Sequence, residues 1–436
     1  MVSSVLVSFA TKNWSSLFGR TRPGCDWAAT SMVIRDENAR DGVRTTSKDT
    51  VEASERSVTK APSAGQTTLP ATRHDCRPDR DEKIGPGYNR RPVPPQRLAI
   101  SLAAAVLAAL ASPKGQAPVP CLPAAGVQFV CGLEAPEDLV VLPGEQWVVA
   151  GAYSGRGGIY LIRARDRFTV RTYPAPASRD RFDAQTYGTA CPGPPDGATK
   201  AAFRTHGLSL VPSPNGVHRL FAVLHGNRES VEIFELDARP DTPTVTWIGC
   251  VVAPDPIGLN SVRGRAGGGF VATNFLARTG GPDIKAVMTG EKNGEVWAWD
   301  QSSGWEKVAD TEAAGANGIE TSPDGRSVYI AAWGAQSVIR VSRGDGTPAR
   351  REVLLGFRSD NIRWSRDGSL LVAGQGESPG SSIVVRIDPT TLAVREIVRH
   401  PDTPAFGAAT VAVEVGRELW VGSFRGDRLA IFPLTR

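Results

Sequence analysis

Oxygen-bearing side chains begin a motif that recurs between residue 137 and the C-terminus. The motif is a polar residue, an apolar run, a Pro/Asp/Gly turn and a second apolar run, and its clearest copy extends from Asn317 to Trp333. The six copies begin near Glu137, His206, Asn260, Asn317, Asp360 and Ala409. In five of the six, the leading side chain could bind a hard metal ion or take part in proton transfer.

The donor types indicate which metal these positions suit. Five side chains at the motif starts are carboxylates or amides: Glu137, Asn260, Asn317, Asp360 and Asn361. Such oxygens are the ligands that calcium prefers, whereas zinc and copper usually require His or Cys. The two carboxylates carry two negative charges, which match one divalent cation. A single Asn-Gly or Asp-Asn pair is usually a turn, so the prediction of a Ca²⁺ site depends on the equivalence of the positions.

Two histidines form a second candidate group. His206 and His225 flank Asn215-Gly216 at equal distances, so a hairpin that turns there would place the two rings opposite each other. His225 would then raise the basicity of His206, which could deprotonate water near neutral pH. The alternative is a histidine that packs within the fold and bonds to a backbone carbonyl.

Short β-rich runs must position these side chains. Each unit of about 40–50 residues holds several such runs, separated by turn pairs such as Asp324-Gly325 and Asp367-Gly368. This pattern predicts an all-β fold, a six-bladed β-propeller over residues 122–436, with residues 174–205 as a long loop. Residues 122–132 are expected to return and complete the last blade. Because the first strand of every blade lines the channel and starts at one end, we expect a metal site at that end.

Two different segments precede the repeats. Residues 1–97 are polar and lack an apolar period, which predicts a disordered tail or an extension upstream of a true start near Val93. Residues 98–117 resemble a signal peptide, with a basic flank and an apolar stretch too short for a membrane span of about 20 residues. The expected mature protein is therefore periplasmic or secreted, without a stable membrane span. The alternative is a buried or interfacial helix behind a genuine tail.

The net charge of +5 lies entirely within residues 1–97, and the remainder is balanced. The basic pI therefore gives no support for a nucleic-acid partner of the folded part.

Four cysteines follow the signal-like segment: Cys121, Cys131, Cys191 and Cys250, whereas Cys25 and Cys76 precede it. An even number in an exported chain predicts two disulfides, and three pairings are possible. Free buried thiols are the alternative.

Several segments together resemble a known family. They begin at Glu137, His206, Val223, Leu259, Ala316 and Asp360. Their order is similar to that of the paraoxonases, calcium-dependent lactonases and arylesterases, within a wider group of gluconolactonase-like and strictosidine-synthase-like propellers. The resemblance implies that Glu137, Asn260, Asn317, Asp360 and Asn361 are catalytic calcium ligands. It also implies that His206 and His225 form the histidine dyad.

The resemblance also implies a second, structural calcium site. Its ligands would be Asp138, the backbone carbonyl of Leu208 and an acid where this chain has Ser261. One ligand of that site is therefore missing. The helices that shape the family's substrate pocket are not evident either, so the family's substrates are not transferred.

These features favour an exported, calcium-dependent hydrolase of lactones or aryl esters, with a small-molecule substrate and water activated by the His pair. One alternative is a non-catalytic propeller that binds a ligand or partner around a structural calcium, and another is a sugar lactonase. A serine hydrolase is disfavoured, because the Gly-x-Ser-x-Gly match at Ser378 precedes a β-rich run rather than a helix.

Overall fold

The computed structural model describes residues 119–343, 349–376 and 380–434. The predicted tail (1–97), the signal-like segment (98–117), the start near Val93, Cys25 and Cys76 lie outside the described residues, as does Ser378.

Six sheets of four or five strands make up the described part of the chain. The first strand, β1 (Gln128–Cys131), belongs to the last sheet. Blade 1 consists of β2 (Pro136–Val141), β3 (Trp147–Ala152), β4 (Gly158–Arg163) and β5 (Thr169–Tyr173). Blade 2 consists of β7 (Arg204–Val211), β8 (Val217–His225), β9 (Ser230–Asp237) and β10 (Thr244–Val252), with the short β6 (Arg179–Asp180) parallel to β10.

The other four blades repeat the four-stranded antiparallel pattern. Blade 3 consists of β11 (Leu259–Gly264), β12 (Phe270–Asn274), β13 (Glu295–Asp300) and β14 (Gly304–Lys307). Blade 4 consists of β15 (Ala316–Thr321), β16 (Ser327–Ala332), β17 (Ser337–Ser342) and β18 (Ala349–Leu354). Blade 5 consists of β19 (Arg358–Trp364), β20 (Leu370–Gln375), β21 (Ser382–Ile387) and β22 (Val394–His400). Blade 6 consists of β23 (Ala409–Val415), β24 (Glu418–Ser423), β25 (Arg428–Pro433) and β1.

The innermost strands form a closed ring. The strands β2, β7, β11, β15, β19 and β23 each contact the inner strands of both neighbouring blades. β1 pairs antiparallel with β25, so the beginning of the described chain completes the last blade. The six-bladed propeller predicted from the repeats is confirmed, including the return of residues 122–132, which supplies the fourth strand of blade 6.

Packing between blades explains why the second strands are buried on both faces. All six residues of β3, β16 and β20 are buried, because each blade has a neighbour on both faces. The outer strand β18, in contrast, has exposed or half-buried residues only. The largest buried side chains, Trp247 and Trp420, fill the spaces between blades.

The connection between blades 1 and 2 is more ordered than the predicted loop. It contains β6 and two helices, α1 (Ala184–Tyr187) and α2 (Gly197–Ala201). A third short helix, α3 (Ile284–Met288), lies between β12 and β13. Aspartates accept hydrogen bonds from backbone N–H groups at the start of all three helices. Across the described residues, every helix is too short to cross a bilayer.

Of the three possible disulfide pairings, the structure has Cys121–Cys131 and Cys191–Cys250. The first lies beside the closing strand β1. The second ties the connection between blades 1 and 2 to β10.

Candidate metal and histidine site

An extra residue interrupts the pairing of each inner strand near its start. In β15, for example, Ala316 pairs with Ala332 and Ile319 with Ile330, so Asn317 and Gly318 together face a single residue of β16. Equivalent shifts occur at the same point of β2, β7, β11, β19 and β23. Such bulges turn a side chain away from its regular direction. They coincide with the five predicted ligands of the first calcium and with His206.

The bulged residues converge at one end of the channel. Asn361 Nδ2 donates a hydrogen bond of 2.8 Å to Glu137 Oε1, which joins blades 5 and 1. Glu137 Oε1 also lies 3.7 Å from His206 Nε2, and that nitrogen lies 3.4 Å from Asn260 Nδ2. The Asn317 side chain lies near that of Asp360 and lowers its pKa. The five predicted ligands and His206 therefore form one cluster.

One oxygen of every predicted ligand is buried and has no hydrogen-bond partner among the described residues. These oxygens are Glu137 Oε2, Asn260 Oδ1, Asn317 Oδ1, Asp360 Oδ1 and Asn361 Oδ1. A buried polar atom without a partner is costly and uncommon, and five in one cluster require a common explanation. A hard cation would satisfy all five, so the donor set fits the predicted calcium.

Amides contribute part of this set. The described residues contain no group of three or more His, Cys, Asp or Glu side chains arranged to hold a metal, so carboxylates alone do not form the cluster. Two carboxylates and three amide oxygens have the composition of a calcium site rather than of a zinc site.

The two carboxylates are held in an unfavourable environment. Burial raises the pKa of Glu137 well above its usual value, and the nearby Asp360 and Asp138 raise it further. Burial raises the pKa of Asp360 to about 7, although a hydrogen bond from Gln375 opposes the shift. Because a nearby cation favours the ionised form, a bound metal would lower the pKa of both carboxylates.

His206 belongs to a chain of three side chains. His206 Nδ1 lies 2.9 Å from His225 Nε2, and His225 Nδ1 lies 2.9 Å from Glu229 Oε2. Glu229 accepts through its other oxygen from the backbone N–H of Leu259, at 2.7 Å. Since Glu229 can only accept when ionised, the network assigns a proton to Nδ1 of each histidine. The lone pair on His206 Nε2 then faces the ligand cluster.

The electrostatics keep His206 neutral. Burial lowers its pKa well below the usual value, and His225 lowers it further. A neutral imidazole with an unprotonated Nε2 has the protonation state of a general base.

The two histidines meet by a different register from the predicted one. His225 pairs with Arg204 rather than with His206, because the hairpin is offset by one residue and β7 has its bulge at His206 and Gly207. The bulge brings the two rings into contact although they are not cross-strand partners.

Three neighbours were not predicted from the sequence. The Tyr153 ring packs at 4.6 Å from the His206 ring, and Gln375 donates to Asp360 Oδ2 at 2.9 Å. Glu229, like Tyr153, lies in a connection between the second and third strands of a blade. None has a repeat-based signal, because these connections vary in length and composition.

Blade 6 offers no side-chain ligand, as its sequence indicated at Ala409 and Thr410. Thr410 instead donates a hydrogen bond of 2.6 Å to the backbone carbonyl of Glu137. Thr410 therefore holds the bulge that aims the Glu137 side chain.

The residues predicted for a second calcium surround a different cation. Asp138 Oδ2 accepts from the Leu208 N–H at 2.6 Å and from the Arg363 guanidinium. The same guanidinium donates to the Leu208 carbonyl at 3.0 Å and to the Leu139 carbonyl at 3.1 Å. Ser261 Oγ is buried nearby in the ring without a hydrogen-bond partner in the described residues.

A cavity of about 410 Å³ lies at the opposite end of the channel from this site. Its lining includes Arg263, Glu320, Arg363 and Glu414, and none of the five predicted ligands of the first calcium. Arg263 and Glu320 pair at 2.7 Å within it.

No protein-family model and no curated protein sequence matches this chain. Solved structures with a similar fold include a luciferin-regenerating enzyme, with 14% identity and a TM-score of 0.46 over 71% of this chain and 95% of the other. They also include a gluconolactonase from Xanthomonas campestris, with 16% identity and a TM-score of 0.44 over 71% and 89%. A calcium-binding protein, regucalcin, from Agrobacterium tumefaciens has 13% identity and a TM-score of 0.41 over 69% and 90%. At these values none of the three assigns an activity to this chain.

Proposed function

We propose that this chain is a calcium-dependent hydrolase of lactones or aryl esters, of the paraoxonase type. The observation that carries the proposal is the cluster of five buried, unpartnered oxygens beside the unprotonated Nε2 of a neutral histidine. Glu137, Asn260, Asn317, Asp360 and Asn361 would hold the calcium. When bound, calcium supplies positive charge that polarises a carbonyl and stabilises the oxyanion formed on attack.

The residues of the chain would supply the proton chemistry. His206 Nε2 accepts the proton of the attacking water, and the imidazolium that forms is stabilised through Nδ1–H by His225 and Glu229. The Asn260 amide, 3.4 Å from Nε2, orients the ring towards the reacting water. Burial of the cluster excludes bulk water and strengthens these interactions.

Initial rates on aryl esters, γ- and δ-lactones and sugar lactones, with calcium and with a chelator, test the proposal. We expect calcium-dependent turnover of lactones or aryl esters, and Glu137→Gln and Asp360→Ala should abolish it as the chelator does. His206→Gln should lower turnover by about 100- to 10,000-fold. His400→Gln, in the outer strand β22, is the matched control and should retain activity.

Each alternative predicts a different result. Stoichiometric calcium binding without turnover of any substrate would identify a binding propeller with a structural calcium. Turnover confined to sugar lactones would identify a sugar lactonase. Turnover by His206→Gln at the wild-type rate would exclude the proposed base.

We also propose that the mature protein is exported and periplasmic or secreted. The two disulfides support export, because disulfides persist in oxidising compartments. N-terminal sequencing of native protein should give a start between residues 111 and 122. A mature chain that retains residues 1–90 would contradict the proposal.

A further inference from the structure

Two arginines stand at the rim of the candidate site. Arg204 precedes His206 by two residues in β7, and Arg358 precedes Asp360 by two residues in β19. β7 and β19 belong to blades 2 and 5, which lie opposite each other in a ring of six. A molecule that enters this end of the channel would therefore approach between two strands that each carry an arginine.

Other arginines at this end are neutralised by acids. Four arginines in the connections between second and third strands have such partners: Arg156 with Glu134, Arg228 with Glu232, Arg278 with Asp255 and Arg425 with Asp402. Within the described ranges, Arg204 and Arg358 have no comparable ion pair, and Arg358 Nη1 is buried without a hydrogen-bond partner. A buried guanidinium nitrogen without an acceptor is costly unless a ligand supplies one.

Arg358 is held against the ligand cluster. Its guanidinium carbon lies 4.3 Å from the centre of the Trp333 ring, a cation–π arrangement. Trp333 Nε1 donates to Gln375 Oε1 at 3.0 Å, and Gln375 Nε2 donates to Asp360 Oδ2 at 2.9 Å. Trp333 and Gln375 thus join Arg358 to a predicted calcium ligand, and its position is pre-organised.

We propose that the substrate of the hydrolysis proposed above is a lactone or ester that carries a carboxylate, and that Arg358 binds this carboxylate, with Arg204 at the opposite rim. A divalent cation would balance Glu137 and Asp360, so among the described residues at this end the two arginines outweigh the remaining carboxylate of Glu229 and leave a net positive charge. The planar guanidinium fork matches a carboxylate in a bidentate geometry.

Matched substrates test the charge preference. The kcat/KM of γ-butyrolactone with a carboxylate at the γ-carbon is compared with that of the neutral γ-carboxamide, for wild type and Arg358→Met. We expect wild type to prefer the carboxylate by about 10- to 100-fold, the size of a hydrogen-bonded charge pair, and Arg358→Met to lose the preference. Arg425→Met removes a paired arginine from the same end, and this variant should keep the preference for the carboxylate. Equal kcat/KM values for the two lactones in wild type would overturn the proposal.

A binding measurement separates this proposal from the proposed hydrolysis. Glutarate, which cannot be hydrolysed, is titrated calorimetrically into the calcium-loaded wild type and Arg358→Met. Affinity at least about 10-fold weaker in the variant supports the carboxylate site even if no lactone is turned over. Equal affinity of the two proteins would refute the role of Arg358 whatever the activity.

A different observation carries a second inference, about the deeper part of the channel. The Arg363 guanidinium contacts the Asp138 carboxylate, one carbonyl in each of blades 1 and 2, and the carbonyl of Ile362. Asp138 is fully buried, and only 11% of the Arg363 side chain is exposed. Arg363 therefore connects blades 1, 2 and 5 at one point.

We infer that Arg363 supplies the positive charge at this level of the channel, so that the chain takes no second metal there. Its N–H groups use the oxygens of Asp138 and Leu208 that a metal would need, and the third ligand position holds Ser261 instead of an acid. A divalent cation at the same point would be repelled by the guanidinium at close range.

Metal content and an engineered site test this inference. Calcium-saturated wild type should contain no more than one tightly bound calcium per chain, and two would overturn the inference. The double variant Arg363→Ala/Ser261→Asp removes the guanidinium and restores the acid, and it should gain one additional calcium that raises its unfolding temperature. If this variant does not fold even in calcium, the calcium content of wild type still tests the inference. Arg363→Lys keeps the positive charge and should likewise bind no more than one calcium per chain.

Discussion

Removal of the divalent cation should make the propeller less stable as pH rises from acid to neutral. Burial raises the pKa of Asp360 from 3.8 to about 7, so the metal-free folded protein holds a proton that the unfolded chain releases at lower pH. The contribution of this proton is fully present below the unfolded pKa and is lost as pH rises to the folded pKa. At 1.36 kcal/mol per pKa unit, a shift of about three units corresponds to about 4 kcal/mol. Glu137 shifts in the same direction and adds to the effect.

The calcium-loaded protein should behave differently. Calcium requires ionised carboxylates, so its affinity, and the stability that it adds, should grow as pH rises towards 7. Urea unfolding at about pH 5 and about pH 8, with calcium and with a chelator, measures both trends. Burial also raises the pKa of Glu320 and of Asp138 and lowers that of His206, which opposes the decline, so the informative quantity is the difference between the loaded and chelated protein.

Asp360→Asn isolates the source of the effect. This variant lacks the titrating group, so the chelated protein should lose much of its decline in stability between about pH 5 and about pH 8. Asp324→Asn, in the exposed turn before β16, is the control and should keep the decline. A chelated wild type whose stability falls no more over this range than that of chelated Asp360→Asn would refute the assignment of a buried, protonated carboxylate to the cluster.

Three further results should follow from the site and the fold. Glu229→Gln should lower kcat about 10- to 100-fold and shift the pH–rate profile with little change in KM, because Glu229 acts through the histidines and does not touch substrate. Gly318→Ala should weaken calcium binding at least about 10-fold by calorimetry, since its Cβ would lie 2.3 Å from a carbonyl of β19, whereas Gly267→Ala faces open space and should bind normally. Replacement of Cys191 and Cys250 by serine should cost about 2–4 kcal/mol in the free energy of unfolding, measured with urea, because the disulfide closes a long loop.

The sequence was sufficient to predict the architecture because its signals are local. Each blade repeats the same alternation of apolar runs and turns, so the six starts from Glu137 to Ala409 coincide with the inner strands. The return of residues 122–132 followed from the need to close the ring. The connection between blades 1 and 2 differed from the prediction, since α1 and α2 are too short to produce a helical period.

The candidate ligands could also be selected from the sequence, because equivalent positions in a closed ring converge whatever their distance along the chain. That they bind calcium, and that His206 acts as a base, stay predictions. Glu229 and Tyr153 could not be found in this way, because they lie in connections that differ from blade to blade. Gln375 ends the second strand of its blade, outside the motif starts.

The sequence by itself determined the number of blades, the closing strand and the oxygen donors, since these depend on repeated local patterns. The tertiary structure alone decided how the donors are aimed, because an extra residue in an inner strand is accommodated only when the neighbouring blade packs against it. That packing set the contact between His206 and His225. It also brought Arg363 into the position where a second metal was expected, because only the folded ring brings blades 1, 2 and 5 within reach of one guanidinium group.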